Sequence, residues 1–269
     1  MMRNARSLFR LLFVIAIGCA PLAARGTDYG DLWWNPSESG WGIQTVQQNN
    51  VMFITFYVFG TDSRPTWFTG LLTAATSGGS TFTGTLVATT GPYYGGPFTP
   101  PAVNRNAGTI TFTATSPTSA NVTYTIDGVT VTKSVQRLQV STLNLSGTYI
   151  GSFLSFQHSC AIPAANGPFN GSGTFTIVHN PPAPQVTITA TLSDNLRAFA
   201  CTYQGNYSQL GKIGSISGTY TCNDGRAGNW NANEIELSTL GGILGRYSGT
   251  NTIPGCQITG GFGGLKPPT

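Results

Sequence analysis

The chain has 269 residues with 13 Lys and Arg, 9 Asp and Glu and 2 His, so charged side chains make up only 8%, where a globular protein carries about 25%. A hydrophobic content of 40%, with 35 glycines and 16 prolines, supplies enough apolar matter for packed cores and excludes a disordered chain. The mature region lacks helical amphipathic periodicity and heptads, which excludes an α-rich enzyme and a coiled coil. No basic face stands out to receive nucleic acid.

Arg3, Arg6 and Arg10, the apolar run Leu11–Ala20 and the small residues Ala23 and Ala24 make the pattern of a secretory signal peptide over 1–24. The run is too short for a transmembrane anchor. Removing those three arginines brings the 13 basic residues to within one of the 9 acidic ones, so the basic character of the chain belongs mostly to the leader. The expected location is secreted or periplasmic, with no transmembrane segment in the mature chain. Cys19, after Ala16-Ile17-Gly18, offers lipid anchoring as the minor alternative, although Ala16 fits such a signal poorly.

Turn signals then recur at the spacing of a meandering β-protein. In the first region, 25–140, Trp41–Gln47 and Val51–Phe59 flank Gln48-Asn49-Asn50, and Asp127-Gly128 separates Ala120–Ile126 from Val129–Leu138 as a strong hairpin signal. Between them, Gly91–Ala107 reads as a long Gly- and Pro-rich loop. The second region, 146–265, reads as eight strands, near Gly147–Phe156, Gly173–His179, Gln185–Thr191, Ala198–Tyr207, Ile213–Cys222, Ala227–Leu237, Ile243–Gly249 and Cys256–Phe262. Eight short antiparallel strands can close on themselves and so remove exposed edges. The expected fold is all-β, two small antiparallel meander barrels or rolled sheets joined near Gln139–Leu145. The second of these is to resemble an eight-stranded up-and-down barrel. A single large β-sandwich is the rival. An outer-membrane barrel fits less well, because outward-phase positions such as Thr109, Thr111, Thr113 and Thr115 are polar.

Cys160, Cys201, Cys222 and Cys256 all lie in the second region, an even number in an oxidising compartment, which favours two disulfides. If Gly211-Lys212 is a two-residue hairpin loop, Leu210 faces Ile213 and Cys201 stands opposite Cys222, leaving Cys160 for Cys256. The pairing Cys160–Cys201 with Cys222–Cys256 remains open. No zinc-finger spacing is present, since the only close pair is His158-x-Cys160.

Ten aromatic residues crowd positions 29–68, including Trp33, Trp34, Trp41 and Trp67. Two readings compete for them. In one they pack a core, and Val51–Phe59, apolar on both alternating faces, is covered on both sides by the rest of the protein or a partner subunit. In the other, Trp33, Trp34, Trp41 and Trp67, with Asn35 and Glu38, line a ligand site, because flat indole faces suit sugar rings and apolar molecules. The alternation from Val129 also puts Lys133 and Arg137 on the apolar face of their strand. A bulge near Lys133-Ser134 is expected to turn both outward; without one they could meet an anionic ligand in the barrel mouth.

The run Trp33-Trp34-Asn35-Pro36-Ser37-Glu38-Ser39-Gly40-Trp41-Gly42, followed by Phe53–Phe59 and Arg64-Pro65-Thr66-Trp67-Phe68, resembles a group of exported proteobacterial proteins that share a Trp-Trp-Asn-x-x-Glu-Ser-Gly-Trp-Gly opening. The resemblance extends to Tyr124–Gly128 and to Cys201-x-Tyr203-x-Gly205-x-Tyr207 with Cys222 and Cys256. It implies export and bacterial origin, and it brings no catalytic residues. Asp62-Ser63 and Gly60 depart from the expected turn.

A search for catalytic chemistry finds none. Gly214-Ser215-Ile216-Ser217-Gly218 spells a nucleophile-elbow pattern but lies inside a predicted strand with no helix after it. Glu234 and Glu236 flank Ile235 as an exposed strand face. No metal motif or phosphate-cradling loop appears. The expectation is therefore a non-catalytic exported protein without cofactor or metal. It would bind a glycan or a hydrophobic small molecule through Trp33, Trp34, Asn35, Glu38, Trp41 and Trp67. The alternative is an envelope-associated structural or interaction module, working as a homodimer or with an envelope protein.

Overall fold

The computed structural model describes residues 26–194 and 197–268; the signal-peptide pattern and Cys19 lie outside them. Strands β1 (Leu32–Trp34), β2 (Gly42–Gln48), β3 (Val51–Phe59), β4 (Pro65–Ala74), β5 (Thr81–Thr90), β6 (Val103–Ala114), β7 (Ser119–Ile126) and β8 (Val129–Arg137) follow one another around a closed antiparallel barrel. Strands β9 (Gly147–His158), β10 (Gly167–His179), β11 (Gln185–Ser193), β12 (Ala198–Leu210), β13 (Ile213–Cys222), β14 (Ala227–Leu237), β15 (Gly242–Thr250) and β16 (Gln257–Leu265) close a second one, with β9 pairing β16. The expected all-β pair of up-and-down barrels is the observed architecture, not a sandwich.

Period-2 patterning decides which side chains fill each barrel. In β3, Met52, Ile54 and Phe56 point into the first core and are almost wholly buried. They meet Trp33 from β1, Leu72 from β4 and Phe112 from β6 in one cluster. The outward threonines pair across strands, as in Thr123–Thr132 at 2.9 Å and Thr125–Thr130 at 2.8 Å. Two strand glycines let the second sheet curl. A Cβ on Gly151 would strike the Gly263 carbonyl of β16, and one on Gly218 the Gln204 carbonyl of β12, as expected where backbones approach closely at a barrel corner.

The outer face of β3 differs from the expectation of cover on both sides. Phe53, Tyr57 and Phe59 are about half exposed, because a closed barrel has only one interior and the second barrel does not lie over this strand. The strand β8 also differs: its register with β7 runs unbroken from Ile126↔Val129 to Ser119↔Gln136. Without the expected bulge, Lys133 and Arg137 keep the inward phase, and each finds an acidic partner.

The two barrels are joined by residues 138–146 and by a polar clasp. Arg137, fully buried, gives Nη1 to Asp31 Oδ2 at 2.8 Å, Nε to the Pro117 carbonyl at 2.7 Å and Nη2 to the Asp28 carbonyl at 2.6 Å. Asp31 Oδ2 also accepts the backbone N–H of Lys212 at 3.1 Å, and Lys212 Nζ reaches Asp28 Oδ2 at 2.6 Å. Asp28 titrates below its ordinary value. Burial opposes that shift, and the bonds from Lys212 and the Gly30 N–H outweigh it. Leu145, from the connector, is completely buried in the second core, and its carbonyl accepts the Tyr149 hydroxyl at 2.9 Å.

Candidate functional site

The sequence-selected residues of the first barrel separate into three environments. Trp33 is a core residue, 1% exposed, with Nε1 satisfied by the Tyr29 carbonyl and Thr45 Oγ1 at 3.0 and 3.1 Å. Trp34, its neighbour on β1, is half-buried and faces the other way. Trp67 stands on the outer face of β4 opposite Tyr57 of β3, 45% exposed. Asn35 Oδ1 accepts the Ser37 N–H at 2.9 Å, and its carbonyl accepts the Glu38 N–H at 3.0 Å, so it shapes the turn between β1 and β2.

That turn carries Glu38 to the end of the first barrel. Glu38 Oε2 accepts the Trp41 indole N–H at 3.0 Å, and Oε1 accepts Lys133 Nζ at 2.8 Å. The Lys133 bond, helped by Trp41, holds the Glu38 carboxyl below its ordinary range, and the Glu38 bond raises the Lys133 ammonium in turn. Lys133 is thus neutralised within the chain. Trp41 packs edge-on against Phe56, whose ring also meets Tyr124 at 4.8 Å. Glu38, Trp41 and Lys133 form one contiguous group; Trp33 and Trp67 stand apart from it.

The second barrel contains a cavity of about 140 Å³. Its walls are aromatic and aliphatic: Phe153, Phe175 and Phe262 on one side, Tyr203, Tyr220 and Trp230 on another. An eight-stranded barrel is just wide enough to be filled by side chains or to hold one small ligand. The end next to the first barrel is occupied by Leu145. The opposite end holds both disulfides, Cys160–Cys256 and Cys201–Cys222. Cys201 faces Cys222 across the β12–β13 ladder, whose last pair is Leu210↔Ile213. The two-residue loop Gly211-Lys212 therefore sets the register that the sequence reading assumed, and the open choice of pairing resolves to this one.

At this end Arg226 is the single charged side chain lining the cavity among the described residues. Its Nε bonds Asp224 Oδ1 and Oδ2 at 3.1 and 2.9 Å, and its guanidinium carbon lies 4.1 Å over the Phe199 ring. Asp224 also receives Arg197 Nη2 at 3.2 Å. Burial works to raise the Asp224 pKa, but the two arginines hold it below its ordinary value.

Trp230 is 6% exposed, packs edge-on against Tyr203 at 5.1 Å, and its Nε1–H has no hydrogen-bond acceptor among the described residues. A buried donor without an acceptor is costly. The phenols around it stay neutral: burial pushes Tyr203 well above its ordinary value and raises Tyr220 and Tyr247 as well. Tyr220 donates to the Thr250 carbonyl at 2.9 Å, and the Tyr247 hydroxyl pairs with Ser155 Oγ. The site therefore offers apolar walls, a guanidinium paired with Asp224 and an indole N–H without an acceptor among the described residues.

Sequence reasoning did not select Arg226 or Trp230. The available signal was the alternation Cys201-x-Tyr203 and Tyr220-x-Cys222, which puts large rings on the interior of adjacent strands. Nothing local marked Arg226, in the turn after Cys222, as facing the same interior. Comparison with protein families, with curated proteins and with solved structures found no match to this chain.

Proposed function

We propose that the protein is exported and non-catalytic and that it holds a small, mostly apolar molecule inside its second barrel. The observation that carries this reading is the aromatic-walled cavity of about 140 Å³ with an unsatisfied buried indole N–H in its lining. Concave, mostly apolar sites with a few fixed polar groups are how proteins retain such ligands. A cavity of about 150 Å³ takes a benzene-sized molecule, so a single ring or a short chain fits and an oligosaccharide does not. Export is supported by the two disulfides, the N-terminal sequence pattern and the resemblance to exported proteobacterial proteins. No helix among the described residues is long and apolar enough to cross a membrane.

The test is calorimetric titration of the mature protein with single-ring aromatic compounds, beside the variant Ala190→Phe. Ala190 is 5% exposed and lines the cavity, so a phenyl ring there occupies the ligand's space. Saturable binding lost in Ala190→Phe supports the reading. Binding that survives the filled cavity refutes it.

A second reading, an envelope-associated interaction module, is favoured by one observation. Val46, Phe53 and Leu71 form a row across β2, β3 and β4 on the outer face, each at least 45% exposed. Contiguous exposed apolar surface of this kind marks interaction sites. Self-association, measured by light scattering across a concentration series, tests it.

A further inference from the structure

We propose that residues 141–146 of the connector form a lid over the inner end of the second-barrel cavity, latched by His179, and that acidification lifts this lid and speeds ligand release. The release step rests on the cavity reading above; the latch does not.

The lid is seated on side chains of the second barrel. Leu145 is wholly buried and lines the cavity. Its N–H reaches His179 Nδ1 at 3.4 Å, and its carbonyl accepts the Tyr149 hydroxyl at 2.9 Å. Gln209 Oε1 accepts the Leu143 N–H at 2.8 Å, and Gln209 Nε2 donates to the Ser141 carbonyl at 2.8 Å. Ser146 Oγ donates to the His179 carbonyl at 2.6 Å and accepts the His179 N–H at 2.9 Å. Hydrogen bonds and one leucine therefore hold this end, whereas the opposite end carries the two disulfides. Segments held in this way open locally at less cost than the strands beneath them.

Of the side chains that seat the lid, His179 alone titrates between about pH 5 and about pH 8. Burial pushes the neighbouring Tyr207 phenol up to about 12 and raises Tyr149 as well. In the neutral ring Nδ1 is the acceptor for Leu145, so the ring proton sits on the other nitrogen. Protonating Nδ1 turns it into a donor that faces the Leu145 N–H, and the bond between them is lost.

The surroundings supply no counter-charge. Tyr207 of β12 meets the ring at 4.8 Å, and Val186 is its register partner on β11. Tyr149 comes from β9, and Lys266 brings a second cation to the Ser146 carbonyl at 2.9 Å. On the side of the first barrel, Asp31 is taken by Arg137 and the Lys212 N–H. No carboxylate among the described residues pairs with the ring. An enclosed, unpaired cation is driven towards water, and lifting Leu145 is what admits it.

Amide exchange followed by NMR on the mature two-barrel protein tests the latch without any ligand. Protection factors at Leu143 and Leu145 are expected to fall together between about pH 7.5 and about pH 5. The fall is as much as about thirtyfold, the factor for a group that titrates near 6.5 once opened. Amides of the β12–β13 ladder keep their protection. In His179→Asn, whose Oδ1 offers an acceptor that does not titrate, the fall disappears. Should that variant fail to fold, the wild-type profile decides. A fall at Leu145 alone, an equal fall throughout the second barrel, or no fall overturns the lid. Release of benzene, a probe of the size the cavity admits, is expected to accelerate by up to the same factor. Lifting of the lid with an unchanged release rate assigns release to the disulfide end and overturns the gating step. Failure of benzene to bind at either pH overturns the cavity reading and the gating step with it, while the exchange result still decides the latch.

Discussion

Asp31 and Arg137 meet at 2.8 Å with the guanidinium wholly enclosed, and the same Asp31 oxygen takes the Lys212 N–H of the second barrel. Arg137 closes the first barrel beside Trp33, its register partner on β1, and lies 4.8 Å over that indole. One buried pair thus seals a barrel and ties it to its neighbour. Removing one partner of a buried pair strands the other charge and costs about 3–5 kcal/mol. Arg137→Ala and Asp31→Ala are each expected to lose stability on that scale, with the double variant losing less than the sum of the two. Urea denaturation of the three variants checks it; additive losses would show that the two residues act independently.

The disulfides make a second comparison. Cys160–Cys256 closes a span of 96 residues and Cys201–Cys222 one of 21. By the chain-entropy relation these are worth about 4.7 and about 3.3 kcal/mol. The Cys160→Ser/Cys256→Ser variant should therefore unfold at lower denaturant than Cys201→Ser/Cys222→Ser. The reverse order would mean that the hairpin bridge acts mainly by holding the native mouth of the cavity.

The two-barrel organisation was legible from strand and turn spacing, whereas the disulfide pairing stayed open between two choices until the hairpin register was known. A two-residue loop at Gly211-Lys212 sets the β12–β13 register, and that register puts Cys201 opposite Cys222. The start of β10 was not legible: the sequence reading began it at Gly173, whereas pairing with β9 extends it back to Gly167↔Gln157. Gly167–Ser172 has weak strand propensity of its own, and the neighbouring strand overrides it. Lys133 was misjudged for a related reason. A lysine at an inward position argues for a bulge only if no carboxylate is near, and Glu38 is 95 residues away in sequence yet 2.8 Å away in space. Long-range partners of that kind decide the polar parts of both barrels, and strand periodicity carries no trace of them.

His179 gives a pH prediction. It is 1% exposed, and its Nδ1 accepts the Leu145 N–H at 3.4 Å. Burial lowers its pKa below the ordinary 6.5, outweighing a hydrogen bond with the Ala183 backbone. The neutral ring is therefore the native form. Its contribution to stability is complete above the unfolded value, about 6.5, and is lost as pH falls through the lower folded value. Denaturation midpoints should drop between pH 7.5 and pH 5, roughly the titration window of histidine, and His179→Gln should flatten that drop. An equal drop in the variant would assign the pH dependence to other groups.

The last prediction separates the two faces of β3. Phe56 is fully buried and Phe53, three residues earlier, is 45% exposed on the outer face. Phe56→Ala removes a ring that packs against Trp41 and Tyr124 and should cost about 3–5 kcal/mol. Phe53→Thr replaces an outward ring with a β-branched polar residue matching the threonines elsewhere on the barrel exterior. It should change monomer stability by less than about 0.5 kcal/mol. Calorimetric unfolding of dilute protein measures both. If Phe53→Thr destabilises only at concentrations where the wild-type chain self-associates, the row Val46, Phe53 and Leu71 is a contact between copies. If it destabilises the dilute monomer as strongly as Phe56→Ala does, the outer face of β3 is covered by the chain itself and the assignment of faces is wrong.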